Sequence, residues 1–268
     1  MQEYFSQKKE LYNILTKYIE NQESYDDDFA KLDEFINNST IKSDKEELER
    51  FLRLLICISD NHHRYNGFLG KIERIILNLQ DIINQSFSKT ALFHIFSSNK
   101  LLLLFLFDKG IITVDEDISK IIYDKDYPHF FLPEIKSYIS EETMKQLEDE
   151  IKDQNPEIFN NSDEKRRKGE NDSYICTLIQ NDSVVDFISH INRNNIKLDS
   201  KIQPSIYETN AFLIDNNPTL IEYAAFYGSI QIFQYLKMNK VELPPSLWIY
   251  TIHSQNAEFI HLLSENKI

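Results

Sequence analysis

The sequence predicts an all-α protein: a stack of helix–turn–helix hairpins in the C-terminal half, preceded by a helical N-terminal region. Three observations point there. Apolar residues recur at helical spacing along most of the 268-residue chain. Five Gly and seven Pro are too few for the turns of an all-β fold and suit helices joined by short links. The stretch Pro218–Leu236, PTLIEYAAFYGSIQIFQYL, spells out one hairpin: a capped helix, a glycine turn and a second helix.

Each residue type in that stretch has a physical task. The Thr219 hydroxyl can cap the orphan N–H groups at the start of the first helix. Ala224 and Ala225 let two helices approach closely. Gly228 takes the left-handed conformation that ends a helix, which costs a β-branched residue on the order of 1–2 kcal/mol. Ile230, Phe233 and Leu236 share one helical face. The capping Thr, the Ala pair, the turn Gly and the apolar spacing follow the pattern of an ankyrin repeat, with Leu220 and Glu222 replacing that pattern's Pro and His. A lone hairpin cannot bury two such faces, so neighbours are predicted on both sides.

Residues 1–85 read as four amphipathic helices. Leu11, Ile14, Leu15, Tyr18 and Ile19 form the first stripe, and Phe29, Leu32, Phe35 and Ile36 the second. The run Asp26-Asp27-Asp28 suits a helix N-terminus. It lacks the alternating ligands, central Gly and distal Glu of a calcium loop. Ser43-Asp44-Lys45-Glu46 reads as a capping box for the third helix, which buries Leu48, Phe51, Leu52, Leu55 and Ile58. Phe68, Ile72, Ile75, Ile76, Leu79 and Ile83 mark the fourth. His62 and His63 lie in a polar link between them, and adjacent histidines make a poor chelate.

Thr90–Gly110 reads as a second hairpin, with Thr90 as cap, Asn99 in the left-handed turn position and Gly110 closing it. Leu101–Phe107 is apolar on every face and is expected to be buried all round. His94 reads as a packed histidine. From Asp115 to Ile151 three looser helices are expected. The polar stretch 153–171 reads as a linker, with residues 158–168 dispensable. Its run Lys165-Arg166-Arg167-Lys168 fits a solvated helix start as well as a nuclear import signal. Asp172–Ile191 forms a third hairpin around Ile175, Leu178, Val184 and Phe187. Residues 192–216 add an irregular finger or partial repeat. A last hairpin at Ser246–Leu263 places Ser246 at the cap, Gln255 at the turn and Phe259 and Leu263 on the second helix. Those two residues predict either further chain or a sticky terminal face. The expected organisation is therefore a helical region (1–87), an ankyrin-like repeat with irregular helices (88–152), a polar linker or loop (153–171) and ankyrin repeats (172–268). The ankyrin-like repeats are expected to form an α-solenoid, preceded by the helical N-terminal region.

The net charge of −14 argues against nucleic acid and anionic membranes as partners. Cys57 and Cys176 both lie in apolar helical patterns, which predicts two buried thiols in a reducing compartment. Without a nearby base or a supporting motif, Cys176 does not read as a nucleophile. The opening MQEYFSQKKELYNIL lacks a signal-peptide core, and no apolar run is long enough to span a bilayer. A cytoplasmic protein without membrane insertion is expected.

The segment Glu164–Leu263, through the phrases EKRRKGENDSYICTLI, SIYETNAFLI, PTLIEYAAFYGSIQIFQYL and SLWIYTIHSQNAEFIHLL, resembles a large family of protist ankyrin-repeat proteins. In these a helical N-terminal region of unknown function precedes the repeats. The resemblance implies protein binding through turn tips and first helices, and it implies no catalytic residue, cofactor or metal. On that footing Asn217, Glu222, Tyr223, Tyr227, Ile249 and His253 are the expected partner-binding residues, because the repeat core does not need them. Self-association through the C-terminal repeat face is a further expectation. The alternative is an enzyme or regulatory subunit with a site among the N-terminal helices. Against it stands the lack of a Walker loop, a Cys-x-x-Cys pair, a His-Glu-x-x-His motif or a nucleophile elbow.

Overall fold

The computed structural model describes residues 2–21, 25–61, 67–125, 127–154 and 162–265. Every regular element among them is helical, and one isolated bridge pairs Lys201 with Thr219. The chain divides into two units, Met1–Phe159 and Asn160–Ile268, each with its own apolar cluster.

The first unit holds α1 (Gln2–Glu20), α2 (Tyr25–Asn38), α3 (Lys45–Asn61), α4 (Phe68–Asn78), α5 (Gln80–Ser86), α6 (Lys89–Phe96), α7 (Lys100–Asp108), α8 (Glu116–Asp124), α9 (Leu132–Ile135) and α10 (Glu141–Gln154). α1 packs on α2 and α4, α3 on α4 and α6, and α6 on α7 and α8. The periodic stripes are buried as spaced: Leu11, Leu15, Tyr18 and Ile19 from α1 meet Leu32 and Ile36 from α2 and Ile72 and Ile76 from α4. Of the run Leu101–Phe107, expected to be buried all round, Leu102–Leu106 are buried while Leu101 and Phe107 at its ends are half-buried.

The differences from the sequence reading are local. The fourth helix is two, because the Leu79 N–H is shared between the Ile75 and Ile76 carbonyls (3.2 and 3.1 Å) and the turn tightens there. Leu79 itself stays buried, so the apolar spacing runs through the break and conceals it. Asp44, not Ser43, caps α3, accepting the N–H groups of Glu46 and Glu47 at 2.8 and 3.3 Å. Ser88, not Thr90, caps α6. Asn99 is extended (φ −125°) rather than left-handed, and its side chain starts α7 by accepting the Leu102 N–H at 2.9 Å. Cys57 and His94 are exposed, so the expected pair of buried thiols reduces to Cys176. Both lie beside an apolar stripe in sequence but off it in helical angle. His62 and His63 fall outside the described residues.

One polar contact in this unit has no counterpart in the sequence reading. Lys71 on α4 is 3% exposed, and its Nζ donates to the carbonyls of Tyr18, Ile19 and Asn21 at 3.0, 2.8 and 2.6 Å. These carbonyls belong to the C-terminal end of α1, where the helix dipole favours a cation.

The second unit holds α11 (Ser162–Lys168), α12 (Tyr174–Gln180), α13 (Val184–Asn194), α14 (Ala211–Asn216), α15 (Leu220–Tyr227), α16 (Ile230–Met238), α17 (Leu247–Ser254) and α18 (Ala257–Glu265). Three hairpins follow one plan: α12/α13, α15/α16 and α17/α18. Each turns through one left-handed residue, Asp182 (φ 50°), Gly228 (φ 71°) and Gln255 (φ 51°). The first helices pack in a row, α12 on α15 and α15 on α17. The second helices meet through rings, Phe187 with Tyr235 at 6.2 Å and Phe233 with Phe259 at 4.8 Å. Thr219 and Glu222 close a capping box at the start of α15. Polar clasps join neighbouring hairpins. Asp182 accepts the Gln231 and Ile232 N–H groups at the head of α16, both at 3.0 Å, and the Ser229 hydroxyl returns a bond to the Ile179 carbonyl. Ser246 donates to Glu222 at 2.6 Å, tying the third hairpin to the second.

The stretch expected to be a linker contributes α11, and Arg166 within it is 4% exposed. The run Lys165–Lys168 is therefore not a free basic tail. Lys165 pairs with Asp172 at 3.0 Å, and Arg166 lies 3.4 Å from Asp163.

Candidate functional site

The six residues expected to bind a partner fall into three groups. Asn217 is exposed at the left-handed end of α14 (φ 44°), and Ile249 on α17 is 53% exposed. Glu222 is half-buried, and its carboxylate already serves the Thr219 N–H and hydroxyl at 2.9 and 2.8 Å and the Ser246 hydroxyl. His253 is half-buried under aromatic rings, 4.3 Å from Phe212 and 5.3 Å from Phe226, and burial holds its pKa below the ordinary value.

Tyr223 and Tyr227 correct the sequence reading outright. They are 1% and 7% exposed, with ring centroids 4.7 Å apart. Most of the polar residues around them belong to the segments before α12 and before α14, which no repeat pattern anticipates, and Gln180 comes from the end of α12. Gln180 donates to the Tyr223 hydroxyl at 3.0 Å and to the Asn171 carbonyl at 3.3 Å. Glu208 is 5% exposed and accepts the Asn171 and Asn210 N–H groups at 3.3 and 2.9 Å. Asn171 donates to the Gln203 carbonyl, and Thr209 to the Gly169 carbonyl through both N–H and hydroxyl.

This buried polar cluster includes Cys176, whose thiol burial pushes up to about 12. Burial also holds the Tyr223 and Tyr227 phenols well above their ordinary range, with the Glu208 carboxylate adding to the shift. General acid–base or nucleophilic work at neutral pH needs a group that titrates nearby or a thiolate. Here burial keeps the thiol and both phenols protonated at neutral pH, and the hydrogen bonds around them tie the segments before α12 and α14 to one another and to α12 and α15.

The second unit leaves several large apolar side chains exposed, Met238 and Val185 on second helices and three isoleucines on the last hairpin. Ile249, Ile252 and Ile260 on the last hairpin are 53%, 66% and 43% exposed, while Phe259 and Leu263, the expected sticky pair, are fully buried. Two of the three isoleucines were missed in the sequence reading. A signal was present: LWIYTI carries more apolar residues than one helix face can bury. Among the described residues no three His, Cys, Asp or Glu side chains converge as metal ligands would, and no helix is long and apolar enough to cross a membrane. Comparison with protein families, with curated proteins and with solved structures gives no match.

Proposed function

We propose that the unit spanning 160–268 is a protein-binding module built as an ankyrin-like α-solenoid, and that the chain serves as an intracellular interaction scaffold rather than a catalyst. The observation that carries this reading is the last hairpin, where Ile249 and Ile252 stand in solvent one turn apart on α17 and Ile260 is exposed on α18. Exposed apolar residues gathered on one element mark interaction sites more often than isolated ones do. The repeated hairpin plan, with one left-handed turn residue each, supports the solenoid reading. The cytoplasm is the proposed compartment, where unpaired Cys57 and Cys176 stay reduced.

The test compares the intact chain with an Ile249→Glu/Ile252→Glu variant. Both side chains already face water, so the variant is expected to fold, which circular dichroism verifies. A partner recovered by affinity capture is then purified and titrated against both forms. Loss of at least about tenfold in affinity, the effect of removing one or two interface anchors, supports this face. Equal affinity excludes it. Sedimentation of the purified chain separates a foreign partner from self-association, since only the latter gives a dimer that the same variant abolishes.

A further inference from the structure

A cleft of about 580 Å³ opens between the N-terminal half of α1, the C-terminal half of α2 and the turn leading into α3. That volume lies within the range of small-molecule sites. Its floor is apolar: Leu11 and Ile41 are 3% exposed, and Ile14 and Phe35 are half-buried beside them. Its rim is charged, and the charges are unequal in their commitments. Lys8 is paired with Glu47, and Lys31 lies 3.8 Å from Asp28. Glu10 and Glu34 line the cleft, are exposed, and have no cationic partner among the described residues. The last turn of α2 lines the same cleft through Phe35 and Asn38 and contains no basic residue of its own; Lys42, which bonds Asn37 there, does not line the cleft. An apolar floor beneath a net negative rim selects a ligand that is greasy at one end and positive at the other.

We propose that this cleft binds a small amphipathic amine, with its hydrocarbon body on Leu11, Ile14, Phe35 and Ile41 and its ammonium group facing Glu10 and Glu34. Lys8 is held by Glu47, so an anionic amphiphile meets Glu10 and Glu34 with only the solvent-exposed Lys31 to offset them. A neutral one gains only the floor. The site belongs to the first unit and is independent of the partner face on α17.

The test titrates octyltrimethylammonium, below its micelle concentration, into the full ¹⁵N-labelled chain and follows amide shifts. Octyl sulfate and octanol are the comparison probes. Saturable shifts are expected at Ile14, Phe35, Asn38 and Ile41, with the cation binding tightest and the sulfate weakest. The Glu10→Gln/Glu34→Gln variant, altered only at exposed positions, is expected to weaken cation binding roughly tenfold and to leave octanol binding unchanged. Shifts that fail to saturate or that spread over the surface would overturn the site. So would equal binding of sulfate and cation, or a variant that binds the cation as well as the intact chain.

Discussion

Replacing Lys71 with methionine isolates what one buried cation does for the first unit. The methionine stem fills nearly the same space, so packing against Ile72 and Ile75 is retained while three donors vanish. The Tyr18 and Ile19 carbonyls belong to fully buried residues, whereas Asn21 is half-buried and can be rewetted. A hydrogen bond from a charged group contributes about 1.5–3 kcal/mol, and a buried carbonyl left without a partner costs about 1–3 kcal/mol. The loss of positive charge at the end of α1 adds up to ~2 kcal/mol. Against these stands the desolvation of the ammonium, several kcal/mol that the variant no longer bears. Two orphaned carbonyls and the dipole term outweigh a partial refund, and a net destabilisation of roughly 3 kcal/mol is expected. Urea unfolding followed by circular dichroism measures it, with hydrogen exchange of α1 amides assigning the loss to this unit. Lys71→Arg, which keeps the charge but not the three-way fit, is expected to fall between. A Lys71→Met chain within about 0.5 kcal/mol of the parent would refute the reasoning, because it would mean that the end of α1 is satisfied by other groups.

The other predictions follow from single residues. Burial raises the Asp60 carboxyl to about 6, with the Asn99 amide at 2.7 Å pulling the other way. A raised folded-state pKa stabilises when the group is protonated, so this contribution is fully present below about 3.8 and is lost as pH rises through about 6. Asp60→Asn is expected to gain ~1–2 kcal/mol at pH 7.5 and to flatten the pH dependence of the unfolding midpoint between 4 and 6.5. At the hairpin turns, Gly228→Val is expected to cost at least ~1–2 kcal/mol and Gln255→Gly to gain ~1 kcal/mol, because both positions are left-handed; thermal unfolding of the two variants reads the opposite signs. Iodoacetamide at pH 8 is expected to label Cys57 in the native chain and to spare Cys176 until denaturant is added, as peptide mass spectrometry reports. Deleting residues 162–168 is expected to destabilise the second unit, since it removes the buried Arg166; an unchanged unfolding midpoint would restore the view of this stretch as a loop.

Local chemistry was the legible part. Thr219, Ala224, Ala225 and Gly228 each do what their residue type demands, because capping, close approach and a positive φ are decided within a few residues. Thr90 and Asn99 misled for the same reason. A hydroxyl or amide at a helix start can cap from several adjacent positions, and spacing does not choose between them. The site was less legible, since burial is decided by distant chain. Tyr223 and Tyr227 look spare in the hairpin pattern because their neighbours Asn171, Gln180 and Glu208 lie far away in sequence. Glu222 looks free until Ser246 is brought beside it. Lys71 sits in an otherwise apolar stripe, and its purpose is visible only with the end of α1 in place.

The clasps between hairpins set the order in which the second unit comes apart. Asp182 and Ser229 bond reciprocally across the junction of the α12/α13 and α15/α16 hairpins, so neither can melt without exposing the other's helix end. In a stacked array stability is shared between neighbours, and the strength of each junction decides how far an opening spreads. The first two hairpins therefore behave as one cooperative block. The α17/α18 hairpin is held to α15 along α17 and at its head by the Ser246 clasp, and it leaves Ile252 and Ile260 exposed. A partner seated on those isoleucines would act as a further neighbour, raising the cost of opening this hairpin and, through its junction with α15, of the stack behind it.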